Sequence, residues 1–176
     1  MTGKELCYIA VAVALLAVCS WIAVPIGNIP ITLQTLALFV VVGTLGLKRA
    51  LLAVFAWIVL GLLGVPVFAF FSGGFGKLFS PTGGFLVGFL IATPVMGWLY
   101  RGVFWQKAFA LFLGVVIYNA VAVVWFCVLY TDFWTGGLWT ALASCVLPYL
   151  PFDVLKIGIA LFLTERLQNI IKGRIR

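Results

Sequence analysis

The chain has 176 residues, 65% of them hydrophobic and 9% charged, with a formal net charge of +7. A soluble domain carries about one quarter charged residues, and a chain this short cannot enclose so much apolar surface, so the composition excludes a water-soluble globule. The positive charge sits at predicted helix ends and not on one polar face, which excludes nucleic acid as a partner and leaves a single domain, residues 1–176, with lipid as its apolar solvent.

The first predicted span covers residues 4–24. Its apolar run is too long for a signal-peptide core and lacks a small-residue cleavage site, so it is kept as a membrane helix. A break follows at Pro25-Ile26-Gly27-Asn28-Ile29-Pro30. The second span is 32–46, the pair Lys48-Arg49 punctuates, and the third is 50–64, ended by Pro66. Residues 67–71 lead into a run, 72–84, that holds five glycines. The fourth span is 85–100, a basic turn follows over 101–107, and the fifth span is 108–130. A short amphipathic piece over 138–147 is interrupted by Pro148-Tyr149-Leu150-Pro151, and the sixth span is 152–171. The fold expected is an all-α bundle of six transmembrane helices.

The basic residues orient it. With the N-terminus in the cytoplasm, cytoplasmic segments hold Lys4, Lys48, Arg49, Arg101, Lys107, Arg166, Lys172, Arg174 and Arg176, external segments hold only Lys77, and Lys156 lies within a span. Positive charge on the inner side of every turn predicts both termini in the cytoplasm of a cell membrane (plasma or inner). The second to fourth spans have only about 15–16 apolar residues, or roughly 23 Å of helix against a hydrocarbon core of about 30 Å. The shortfall lies beside the Pro/Gly-rich external loops. Irregular backbone at membrane depth must be buried in protein or line a cavity, so a cavity is expected on the external half, roofed by residues 25–30 and 72–84.

Catalysis has little to work with. Histidine is absent, no paired carboxylates occur, and Cys7, Cys19, Cys127 and Cys145 lie in apolar stretches, so neither an enzyme nor a metal site is expected. No G-x-x-x-x-G-K-[ST] phosphate loop occurs, and no cofactor is implied. Asp153 and Lys156 are the pair that stands out, an acid and a base inside a span. Three residues apart, they share one helix face. Pro151 suits the first turn, and Asp153 then sits at the positive end of the helix dipole. Ionisable groups within a membrane are functional candidates by default; an ion pair that merely orients the helix is the competing reading. Gln34 and Asn119 are amides within spans, with Thr32 and Thr35 beside the first, and each could equally join two helices. Gly73 and Gly74 allow backbone to approach a ligand, or simply allow tight packing. Ala10 and Ala14 form a small-x-x-x-small pair that lets another helix come close.

Four collinear segments carry a resemblance. They are Ile29-Pro30-Ile31-Thr32-Leu33-Gln34, then Gly64-Val65-Pro66-Val67-Phe68 leading into Ser72-Gly73-Gly74, then Pro81-Thr82-Gly83-Gly84-Phe85, and Pro151-Phe152-Asp153-Val154-Leu155-Lys156. In this order they resemble the BioY family, the biotin-specific substrate-binding (S) components of energy-coupling factor (ECF) vitamin transporters. The resemblance implies a six-helix protein that captures biotin from the external side, with the loop around residues 25–31 covering the ligand. It implies that Asp153 and Lys156 hold the polar end of biotin, with Gln34, Asn119, Thr32, Gly73 and Gly74 as further candidate contacts. It also implies that Ala10 and Ala14 dock a transmembrane coupling subunit (T component), and that two ATPase subunits supply the energy. Two positions depart from the family pattern. Phe75 stands where a polar residue is usual and Lys77 where glycine is, so no polar contact is expected from position 75, and Lys77 either substitutes for one or faces water. The alternatives are an S component for another vitamin, a non-transporting membrane scaffold and, last, an intramembrane enzyme.

Overall fold

In a computed structural model of the chain, the described residues are 3–25, 29–130 and 137–173. The first helix, α1 (Gly3–Trp21), ends in a two-stranded ribbon, β1 (Ala23–Val24) paired antiparallel with β2 (Ile31–Thr32), Ala23 opposite Thr32 and Val24 opposite Ile31. Helix α2 (Gln34–Leu62) follows, then two 3-10 turns, Ala69–Phe71 and Phe75–Phe79. Helices α3 (Gly83–Leu99) and α4 (Phe104–Tyr130), a short α5 (Leu138–Cys145) and α6 (Leu150–Gly173) complete the bundle. Helix α2 packs on α1, α3 and α6, and α3 lies along α4.

The predicted second and third spans are the two legs of α2, and the boundary between them is sharper than expected. Only Gly46 leaves helical geometry, at φ 72° and ψ 176°. A side chain rarely adopts that φ, so this one residue reverses the chain and Lys48-Arg49, expected in a turn, already lie in the second leg. Gly64, and not Pro66, ends that leg. Its φ is 102°, its N–H reaches Gly61 O at 3.2 Å, and Val65 N–H reaches Leu60 O at 3.1 Å, which caps the last carbonyls. The first span is also shorter than predicted, because Ala23 and Val24 pair as a strand. The amphipathic piece over 138–147 is α5.

Burial runs as lipid solvent requires. Leu16, Phe39, Val42, Val54, Trp57, Met96, Leu111 and Leu161 fill the interior, while Val11, Phe55, Trp98, Phe109, Val128 and Phe162 face outward. Helices α1, α2 and α4 are long and apolar enough to cross a membrane, and α3 is a shorter apolar helix. Hydroxyls on these helices donate to carbonyls of their own helix four residues back: Ser20 to Leu16 (2.6 Å), Thr44 to Val40 (2.7 Å) and Thr93 to Phe89 (2.6 Å). That satisfies polar groups where no water can.

The two ends of the bundle differ. At one end Arg49 meets Glu5 at 2.9 Å, Lys107 lies 3.9 Å from Glu165, and Gln168 Nε2 donates to Gly43 O at 2.7 Å. At the other end α2, α3 and α6 begin, together with the β ribbon and the two 3-10 turns.

Candidate functional site

The chain enters α6 through Pro151, whose missing N–H falls in the first turn, where an N–H has no helical acceptor. Asp153 follows in that same turn, its N–H on Tyr149 O at 2.9 Å. One helical turn later, Lys156 Nζ lies 3.3 Å from Asp153 Oδ1. Two other helices complete the cluster. Thr35, near the start of α2, donates from Oγ1 to Asp153 Oδ1 (3.3 Å) and accepts from Lys156 Nζ (2.8 Å). Tyr118, midway along α4, donates its hydroxyl to Asp153 Oδ2 at 2.6 Å. All four side chains are buried.

Tyr118 reaches this place because α3 lets α4 come close. A Cβ on Gly88 would lie 2.8 Å from Tyr118 Cα, and one on Gly84 would lie 2.8 Å from Ala122 Cα. This Gly-x-x-x-Gly face of α3 removes the side chains that would hold the two backbones apart. Phe89 then meets the Tyr118 ring edge-on at 5.2 Å, and Phe85 lies 6.2 Å from it.

The cluster forms part of the wall of a cavity of about 260 Å³, near the lower end for a small-molecule site (roughly 300 Å³). Phe68, Phe85, Phe89, Tyr149 and Phe152 give it apolar and aromatic faces, and Gln34 and Thr32 line it near the start of α2. Ile29 and Pro30 contribute from one loop, and Ser72, Lys77, Ser80, Pro81 and Thr82 from the other. The Tyr149 hydroxyl donates to the Ile29 carbonyl, tying the approach to α6 to the first loop. Both loops expected to roof a cavity therefore contribute to its wall; residues 26–28 of the first lie outside the described residues.

The candidate residues separate into two groups. Asp153, Lys156, Gln34 and Thr32 come together on the cavity wall. Asn119, Gly73 and Gly74 are not among the lining residues. Asn119 Nδ2 donates to Val115 O at 2.9 Å on its own helix. Gly73 serves a backbone crossing, since a Cβ there would lie 2.4 Å from Val65 O. Gly74, at φ 99°, donates to Gly61 O at 2.7 Å and opens the second 3-10 turn. Ala10 and Ala14 lie on the outward face of α1. Phe75 is exposed, whereas Lys77 lines the cavity. Tyr118 carries a signal in the sequence: tyrosine ordinarily sits at the membrane–water interface, and this one lies mid-span. Among the described residues no cluster of three or more His, Cys, Asp or Glu side chains is placed to hold a metal.

Comparison with known proteins agrees with the geometry. The BioY family model matches residues 1–173. The chain is 32% identical over 167 residues to the biotin transporter BioY of Thermotoga maritima, covering 95% of this chain and 97% of that one. It is 34% identical over 169 residues to a probable biotin transporter BioY of Pyrococcus horikoshii, covering 96% and 99%. In three dimensions it matches the crystal structure of the S-component for biotin from an ECF-type ABC transporter, with a TM-score of 0.84 at 25% identity over 96% of this chain and 95% of that one.

Proposed function

The chain belongs to the BioY family, and from that membership we propose that it serves biotin uptake, as the membrane-embedded S component of an ECF-type transporter. It is a transport subunit and not an enzyme, and biotin is its substrate and not a cofactor. The observation that carries the reading is the buried Asp153–Lys156–Thr35–Tyr118 cluster on the wall of a vitamin-sized cavity.

The cluster suits a cyclic urea. A carboxylate has about four lone-pair sites and an ammonium three N–H donors. Thr35 and Lys156 donate to Oδ1 and Tyr118 to Oδ2, so Oδ2 can still accept a ureido N–H. Lys156 uses donors on Thr35 and Asp153, leaving one for the ureido carbonyl. The sulfur ring and the valeryl chain then lie against the Phe68, Phe85, Phe89 and Phe152 walls. A ligand without the urea leaves buried polar groups unpaired, which gives discrimination.

In this reading six helical segments span the cell membrane: α1, the two legs of α2, α3, α4 and α6. Both termini are cytoplasmic and the cavity faces outward, with Ile29 to Ile31 over the ligand. The exposed Ala10–Ala14 face of α1 docks the coupling subunit, and two ATPase subunits drive import. Titration of the detergent-purified chain tests the core of the proposal. Saturable, stoichiometric biotin binding that other vitamins fail to displace is expected; displacement by another vitamin would reassign the substrate, and no saturable ligand at all would favour a scaffold.

A further inference from the structure

Three charged side chains line the cavity: Asp153, Lys156 and Lys77. The first two neutralise each other at 3.3 Å. Lys77 forms no ion pair among the described residues, so the cavity wall carries one uncompensated positive charge. It stands on the loop between α2 and α3, whereas the acid stands on α6. The turn that presents it, Phe75–Phe79, packs on α2 and α3. Gly74 opens this turn, Lys77 N–H donates to Gly74 O at 3.0 Å, and Ser80 Oγ donates to Lys77 O at 2.7 Å. Ser80 and Thr82 hydroxyls, 2.8 Å apart, line the cavity just after Lys77, where α3 begins with its positive dipole end.

We infer that Lys77 receives the ligand carboxylate, so that the pocket reads biotin from both ends: the urea at Asp153 and the valerate at Lys77, beside the start of α3. This rests on the biotin reading. The electrostatics decide the direction. A valerate placed at Asp153 would set two carboxylates side by side, which low-dielectric surroundings penalise heavily, and Lys156 is already engaged by Asp153 and Thr35. The opposite placement joins a net charge of −1 to a wall of net charge +1.

The test uses the purified chain with biotin and with biotin amide, which keeps the rings and removes the negative charge. The unaltered chain is expected to prefer the acid by at least about tenfold, the size of one charge-assisted hydrogen bond. Lys77→Gln brings acid and amide to within about twofold of each other, and Lys77→Arg restores the preference. In the unaltered chain, biotin is expected to protect Lys77 from acylation, read by peptide mass spectrometry, more strongly than saturating amide does; this second readout holds even if K77Q fails to fold. Equal binding of acid and amide by the unaltered chain, a preference that survives in K77Q, or equal protection by the two ligands overturns the role of Lys77 and leaves biotin uptake standing. Failure of the unaltered chain to bind either ligand overturns the biotin reading itself, and this inference with it.

Discussion

Asp153 accepts hydrogen bonds from Thr35, Tyr118 and Lys156, side chains of three different helices, in a setting from which water is largely excluded. A buried carboxylate is tolerated only when it is paired and hydrogen-bonded, so the same contacts that hold α2, α4 and α6 together also keep in place the acceptor that the proposed function assigns to the urea. Asp153→Asn removes the charge, turns one oxygen into a donor and leaves Lys156 without its counter-ion. Biotin binding is expected to weaken at least tenfold with expression unchanged, and equal affinity in a purified-protein titration would remove Asp153 from the site. Tyr118→Phe is the finer probe, since it deletes only the 2.6 Å bond to Oδ2. A hydrogen bond to a charged group is worth about 1.5–3 kcal/mol, so roughly a tenfold or larger loss of affinity is expected by isothermal titration, with the aromatic wall intact. Unaltered affinity would mean that the hydroxyl serves packing alone.

At the level of elements, the site depends on how closely α3 and α4 approach. Gly88→Leu places a side chain where even a Cβ would stand 2.8 Å from Tyr118 Cα, and that neighbour is backbone, which cannot swing away. Overpacking typically costs about 1–3 kcal/mol; a lower melting temperature in detergent and loss of biotin binding are expected together. Gly76→Ala, with nothing within 4 Å of the added Cβ, is the control that should match the unaltered chain in both measurements. The same elements show what a sequence can and cannot convey. Hydropathy places the helices to within a few residues, because apolar runs must be long enough to meet lipid. It ends the second span at 46 and the third at 64, but does not show that single glycines at positive φ make the reversal and the cap, since a positive φ leaves no trace in composition and many glycines look alike. Asp153 and Lys156 were legible because a charge within an apolar span needs a reason. Tyr118 was not, because its reason lies 35 residues away on another helix. For Gly73 and Gly74 the sequence leaves ligand approach and tight packing equally open; in the structure their backbones meet Val65 and Gly61, and neither lines the cavity.

For the whole molecule, binding and uptake are separable in the proposed reading, because the cavity lies inside the bundle while the Ala10–Ala14 pair lies on its outside. Helix α1 turns Ile9, Ala12, Leu16 and Ser20 inward and leaves Leu6, Val11 and Val18 exposed, with Ala10 and Ala14 on that same outward surface. In lipid, small residues on an outward face matter because they let a second helix approach at backbone distance, and van der Waals contact of that kind is a main source of helix association there. A bulky side chain at this position should hold a partner helix away without disturbing α2, α3, α4 or α6, which carry the polar cluster. Ala14→Trp, alone or with Ala10→Leu, is therefore expected to keep the biotin affinity and melting temperature of the unaltered chain in detergent. In cells the same variant should lose co-purification of the coupling and ATPase subunits, with biotin accumulation falling to background. Normal accumulation in the double variant would move the docking face elsewhere on the bundle, and a matching loss of binding would show instead that α1 supports the cavity. In the proposed reading, capture depends on the interior of the bundle and import on its outer face.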